Sequence, residues 1–143
     1  MTENKIWESF SFSEEKQKSA LNYLSDLKQG LVQQTSGELI LETEAVDAYV
    51  DGNPPRPAAI YKLFVVAPKL GHFRRKILTV AEFSDQGRFP VDIVNHFNSD
   101  EKISSVPENQ FDQKISDILK SPLVKNSIEN LFQLSKEYDQ KNS

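Results

Sequence analysis

The feature that most constrains this chain is the segment Ala59–Ala67, whose apolar side chains fall at both odd and even positions. Alternate residues of a strand point to opposite faces of a sheet, so this segment would present apolar groups to both faces. That pattern is typical of a central strand. A second apolar segment, Ile77–Phe83, follows a short connection containing Gly71, which predicts a hairpin. Pro68 cannot donate to a ladder and marks the predicted end of the first strand.

The remaining patterns predict a single α+β domain. Leu21, Leu24, Leu27 and Leu31 recur at helical spacing, with candidate caps at Ser11, Ser13 and Glu14, while short connections between strands favour an antiparallel meander. The predicted fold is a meander of four to five strands packed against an N-terminal helix and two C-terminal helices. The predicted elements are a helix over 13–34, strands over 38–50, 58–68, 75–83, 89–98 and 102–106, and helices over 108–120 and 122–138.

Three local expectations accompany this fold. Apolar residues switch parity within 38–50, which predicts a bulge or a bend near Thr43–Ala45. The apolar residues Ile6, Trp7, Phe10 and Phe12 are expected to dock on the body of the domain. The buried side of the last helix is predicted to consist of Val124, Ile128, Leu131, Phe132, Ser135 and Tyr138.

Several kinds of chemistry are excluded by composition. The chain has no cysteine, which excludes thiol nucleophiles, disulfides and thiolate metal sites. Its five glycines are isolated, so neither a Walker A motif nor a dinucleotide fingerprint occurs, and there is no G-x-S-x-G elbow. We therefore predict a non-catalytic protein with no cofactor and no metal. Without a long apolar run, it is expected to be soluble, cytoplasmic and free of membranes.

The most suggestive surface feature is a basic cluster around the hairpin connection. Residues 58–90 carry a net charge of +4, and residues 38–57 carry −4. Cations beside an aromatic side chain can bind an acidic protein surface, can contact nucleic acid, or can simply pair with the acidic strand next to them. The overall charge of −4 disfavours nucleic acid. The candidate partner-binding residues are Lys69, His72, Phe73, Arg74, Arg75 and Arg88.

A ligand site near Asp92 and His96, together with the proline-rich loop Asp51–Pro57, is the alternative. In a strand these two residues share a face but lie roughly 13 Å apart, which is too far for one metal ion. The carboxylates Glu42 and Glu44 also share a face, and we interpret them as the solvated side of a strand.

The sequence thus favours a protein-interaction module, of an accessory, immunity-type or regulatory kind, over a small enzyme or ligand-binding domain. The two-sided apolar strand favours a protein partner or a homodimer, because a monomer with helices on one side would leave its other side exposed. A helical layer that wraps round to the second side would explain the pattern equally well. The run Phe89-Pro90-Val91, followed by helices that meet at Ser121-Pro122, resembles small bacterial α+β proteins and matches no motif of a named family.

Overall fold

The residues that the structure describes form one antiparallel sheet with three helices, and the predicted α+β meander is confirmed. The computed structural model describes residues 18–50, 54–83 and 87–141. Its strands follow each other across the sheet in the order of the chain. The elements are α1 (Ala20–Thr35), β1 (Ile40–Val50), β2 (Arg56–Ala67), β3 (Phe73–Phe83), β4 (Val91–Asn95), β5 (Glu101–Val106), α2 (Glu108–Leu119) and α3 (Pro122–Lys141).

The helices cover one face of the sheet, which we call the helical face. Leu63, Val65 and Val80 point to this face and pack with buried residues of all three helices, among them Leu24 of α1 and Phe111 of α2. Burial of these side chains is the main force that holds the two layers together.

The opposite face of β2, which we call the second face, is also apolar. Phe64 and Val66 lie here and are buried, although they are not part of the core cluster under the helices. The guanidinium of Arg74 lies 4.1 Å from the centroid of the Phe64 ring, and that of Arg56 lies 3.9 Å from the Phe83 ring. The second half of β2, from Leu63 to Ala67, is therefore buried on both faces, as its sequence pattern predicts.

A bulge in β3 interrupts the regular pairing with β2. Leu78 pairs with Leu63 and Lys76 with Phe64, so Ile77 is the extra residue. Both Ile77 and Leu78 are fully buried in the core. Because a bulge changes the alternation of side chains, it decides which residues of the first half of β3 point to each face.

The predicted bulge near Thr43–Ala45 is wrong. β1 pairs with β2 in unbroken register from Ile40 to Val50. Leu41 is buried under the helices, whereas Val46 and Tyr49 are exposed. Apolar residues at both odd and even positions of β1 therefore do not require a bulge. They are tolerated because the second half of the strand is only partly covered.

The helix boundaries refine the prediction at two points. α1 begins at Ala20, and Ser19 is its N-cap: the Ser19 hydroxyl accepts a hydrogen bond from the Asn22 amide, and the Asn22 side chain bonds back to the Ser19 backbone. The caps predicted earlier in the chain, and the apolar residues 6–12, lie outside the described residues. In α3, Ser135 is buried as predicted, but Tyr138 is exposed.

Candidate protein-binding groove

The connection between β2 and β3 is a tight turn over residues 68–72. The Leu70 amide donates to the Ala67 carbonyl, and the His72 amide donates to the Pro68 carbonyl. Gly71 and His72 both have positive φ, 64° and 58°. Glycine adopts this conformation without strain, which accounts for the predicted role of Gly71. The turn brings the basic cluster to one end of the sheet.

Arg74 lies on the second face, beside the acidic strand β1. Its Nη1 is 3.5 Å from Glu44 Oε2 and 4.0 Å from Glu42 Oε2. His72 Nε2 lies 3.0 Å from Glu42 Oε1, and Lys62 Nζ is 3.8 Å from Glu44 Oε1. The acidic and basic segments therefore neutralise each other here, which is the cross-strand pairing that their charges favour.

Lys69 connects the hairpin to α3 through a buried carboxylate. Its Nζ donates to Glu38 Oε1 at 2.9 Å and to Asp139 Oδ2 at 2.7 Å, while the Ser135 hydroxyl donates to Glu38 Oε2. The hydrogen bond from Ser135, followed by that from Lys69, lowers the pKa of Glu38 to about 2. A charged Glu38 thus holds α3 in a fixed position against the hairpin.

Arg88 pairs with a second buried carboxylate, at the other end of β3. Its Nη1 lies 3.2 Å from Glu82 Oε2, which also accepts a hydrogen bond from the Tyr61 hydroxyl at 3.1 Å. Burial, together with the adjacent Glu82 charge, raises the pKa of Tyr61 to about 12. Glu82 Oε1 is buried, and no described residue forms a hydrogen bond with it. Arg88 is therefore engaged with the protein itself.

Phe73 and Arg75 point to the helical face, where they line a groove with α3. The groove has a volume of about 340 Å³. Phe73, Leu123 and Leu134 are 48%, 61% and 52% exposed, which is high for large apolar side chains. The other lining residues are Arg75, Asn126, Ser127, Asn130 and Leu131. The binding groove, as we call this surface, combines apolar side chains, neutral polar groups and one cation.

Arg75 is held in place inside the binding groove without a carboxylate. Its guanidinium lies 3.9 Å from the centroid of the Phe97 ring, and Nη1 donates to the Ser127 hydroxyl at 3.4 Å. Within the described part of the chain it forms no salt bridge, unlike Arg74 and Arg88. Stacking on an aromatic ring fixes the guanidinium plane and leaves edge N–H donors for another acceptor.

Asp92 and His96 are directed to separate partners. His96 Nε2 lies 2.6 Å from Thr79 Oγ1 and its Nδ1 lies 2.6 Å from Asp100 Oδ1. Asp92 accepts from the Ser105 amide at 3.0 Å and lies 3.4 Å from Lys102 Nζ. Residues 18–50, 54–83 and 87–141 contain no group of three acidic or histidine side chains that could hold a metal ion.

Residues 54–57, the described part of the proline-rich loop, lie away from this pair. Asp92 aligns across the sheet with Ala81, and Ala81 with Ile60 and Val46. Val46 is four residues before the end of β1, roughly 13 Å along the strand. Residues 51–53 are outside the described part of the chain. The register thus separates Asp92 from the described end of the loop.

Phe73 and Arg75 are among the residues that the sequence predicted to bind a partner. Leu123 and Leu134 of α3, which complete the groove, are not. Leu123 and Leu134 are eleven positions apart and fall on one stripe of the helix. Neither leucine belongs to the stripe predicted to be buried. Their position outside that stripe was the sequence signal from which this surface could have been predicted. An amphipathic helix normally places leucine toward the core, so two leucines off the buried stripe indicate a second apolar surface.

Comparisons with known proteins add no assignment. No protein-family model, curated protein or solved structure matches this chain. In the described ranges, no helix has both the length and the apolar character required to cross a bilayer. The contacts and distances of the described residues are therefore the basis for proposing a function.

Proposed function

We propose that this chain is a non-catalytic protein-interaction module, of an accessory, immunity-type or regulatory kind, that binds another protein in the binding groove. The observation that carries the proposal is the grouping of Phe73, Leu123 and Leu134, all about half exposed or more, around one groove. Exposed apolar side chains grouped beside polar residues mark interaction surfaces. Aromatic residues and arginine are also the types enriched in protein interfaces.

The arrangement of α3 supports the same proposal. Ser135 and Asp139 bind the Glu38 and Lys69 side chains, so one wall of the groove is fixed before any partner arrives. A fixed wall reduces the entropy lost on association. Of the predicted partner-binding residues, Phe73 and Arg75 line the groove, whereas Lys69 supports its wall.

The two alternative functions have weaker support. A ligand site at Asp92 and His96 would need both side chains to converge, but each is paired elsewhere. Nucleic-acid binding would need several free cations on one surface, but Arg74 faces Glu42 and Glu44, and Arg88 faces Glu82.

Photocrosslinking in the native cell tests the proposal directly. A photoreactive phenylalanine analogue at Phe73 should yield a discrete crosslinked product, because Phe73 lies in the groove. The same analogue at Tyr49, which is 77% exposed on β1, is the matched control and should not yield that product. Leu134→Gln should abolish the Phe73 product. Equal products from the two positions, or a Phe73 product that persists with Leu134→Gln, would contradict the proposal.

A further inference from the structure

We infer that the occupant of the binding groove is an acidic amphipathic helix of a different protein, about three turns long, with a carboxylate that binds Arg75. This inference rests on the proposed function and specifies the chemistry of the partner. Three features support it: the length of the groove, the charge of the groove and the poor fit of a second copy of this chain.

The length of the apolar stripe sets the length of the occupant. Leu123 and Leu134 are eleven positions apart on α3, which corresponds to about 16 Å along the axis. A helix packed along α3 would bring apolar side chains at positions i, i+4, i+7 and i+11 against this stripe. Phe73, on β3, forms the opposite side of the groove.

The positive charge of the groove determines the sign of the charge that its occupant must carry. Among the described residues that line the groove, Arg75 is the only charged one, and none of them is a carboxylate that could neutralise it. Its guanidinium is already fixed by Phe97 and Ser127. A guanidinium that is stacked on a ring keeps N–H donors at its edge, and a carboxylate can accept two parallel hydrogen bonds from such an edge. Asn126 and Asn130 can supply neutral hydrogen bonds at the rim.

A second copy of this chain fits the groove less well. In a symmetric dimer the same surface faces itself, so two grooves with a single charge of the same sign would meet. Like charges in an interface oppose association. The groove therefore selects a partner that brings negative charge.

Two labelled peptides of about 14 residues provide the test. Both carry leucine at i, i+4, i+7 and i+11, and they differ only in flanking residues, which are glutamate in one and lysine in the other. Fluorescence anisotropy measures their binding to the full chain. We expect the glutamate peptide to bind at least about tenfold more tightly, an advantage of about 1.4 kcal/mol. The protein's net charge of −4 would by itself favour the lysine peptide, so non-specific attraction cannot produce this result.

Matched variants assign the preference to the groove. Arg75→Glu should reverse the preference, whereas Arg74→Glu, on the second face, should leave it unchanged. Leu134→Gln should weaken both peptides. Thermal unfolding of each variant establishes that it is folded.

The outcomes separate this inference from the proposed function. Equal affinity for the two peptides, or a preference that Arg75→Glu does not alter, overturns the acidic partner while the crosslinking result can still stand. Absence of binding by either peptide overturns the helical occupant. Self-association that Leu134→Gln abolishes, measured by light scattering, would show that a second copy occupies the groove and would also overturn the inference.

Discussion

Arg74 and Arg75 are neighbours in the chain, yet their surroundings differ in almost every respect. Arg74 lies on the second face, over Phe64 and next to Glu42 and Glu44. Arg75 lies on the helical face, over Phe97, and among the described residues its polar partner is the Ser127 hydroxyl. Both stack on an aromatic ring, so stacking does not distinguish them. The presence of a carboxylate beside Arg74 does, and it separates a cation that is paired within the fold from the cation that we propose binds a partner.

Arg88 extends this comparison to a buried pair, and we expect the largest effect there. Arg88→Met leaves Glu82 buried with no counter-charge and with one oxygen already unpaired. The expected loss in the free energy of unfolding is about 1–3 kcal/mol, measured by urea denaturation. Arg88→Lys, which retains the charge, should lose clearly less. Equal losses for the two variants would show that the charge itself does not matter.

Acid should weaken the wall of the binding groove. The folded pKa of Glu38, about 2, lies below its ordinary value of 4.5. Its contribution to stability is therefore complete above pH 4.5 and is lost as the pH falls from 4.5 through 2. Ser135→Ala removes the first cause of the lowered pKa and should make stability less dependent on pH across this window. Urea midpoints measured from pH 5 to pH 2 test this, and identical curves for the variant and the parent would contradict it.

Charge reversal should distinguish the two neighbouring arginines through their response to salt. Arg74→Glu places a third carboxylate beside Glu42 and Glu44, so we expect a loss of about 1 kcal/mol in low salt that becomes smaller at high salt. No described carboxylate pairs with Arg75. The effect of Arg75→Glu on the free energy of unfolding should therefore depend little on salt. Urea denaturation at two salt concentrations provides the comparison. A similar salt response in both variants would remove the distinction between them.

The smallest effect is expected for Arg75→Gln. This change removes the guanidinium that stacks on Phe97 and donates to Ser127, together with its charge. Because Arg75 is exposed, the free energy of unfolding should change by only about 0.5 kcal/mol. Binding of the glutamate peptide should nevertheless weaken. A variant that loses stability and binding together would indicate that Arg75 supports the fold rather than a partner.

The order of the elements could be predicted from sequence because it depends on local patterns. The apolar strand β2, the end of that strand at Pro68 and the junction of the last two helices at Ser121-Pro122 all have local signals. The burial of Val65 and Val66 on opposite faces follows from simple alternation. These features require no knowledge of distant contacts.

The candidate site was less predictable because its residues meet only in the folded chain. Lys69 looked like part of an exposed cluster, but Glu38 and Asp139 approach it from 31 and 70 positions away. Leu134 and Phe73 line the same groove but are also far apart along the chain. The sequence indicated a basic surface, whereas the fold divides that surface between two faces and neutralises one of them.

The bulge at Ile77 has a consequence for how partner recognition is encoded. If β3 paired with β2 without the extra residue, Arg75 would align with Val66 on the second face, and Arg74 would align with Ala67 on the helical face. The two arginines would exchange surroundings with no change in their identity. The partner recognition that we propose for this surface would thus be encoded partly in a backbone irregularity that lies outside the groove. Comparing related chains at positions 74 and 75 is therefore meaningful only if the bulge is aligned first.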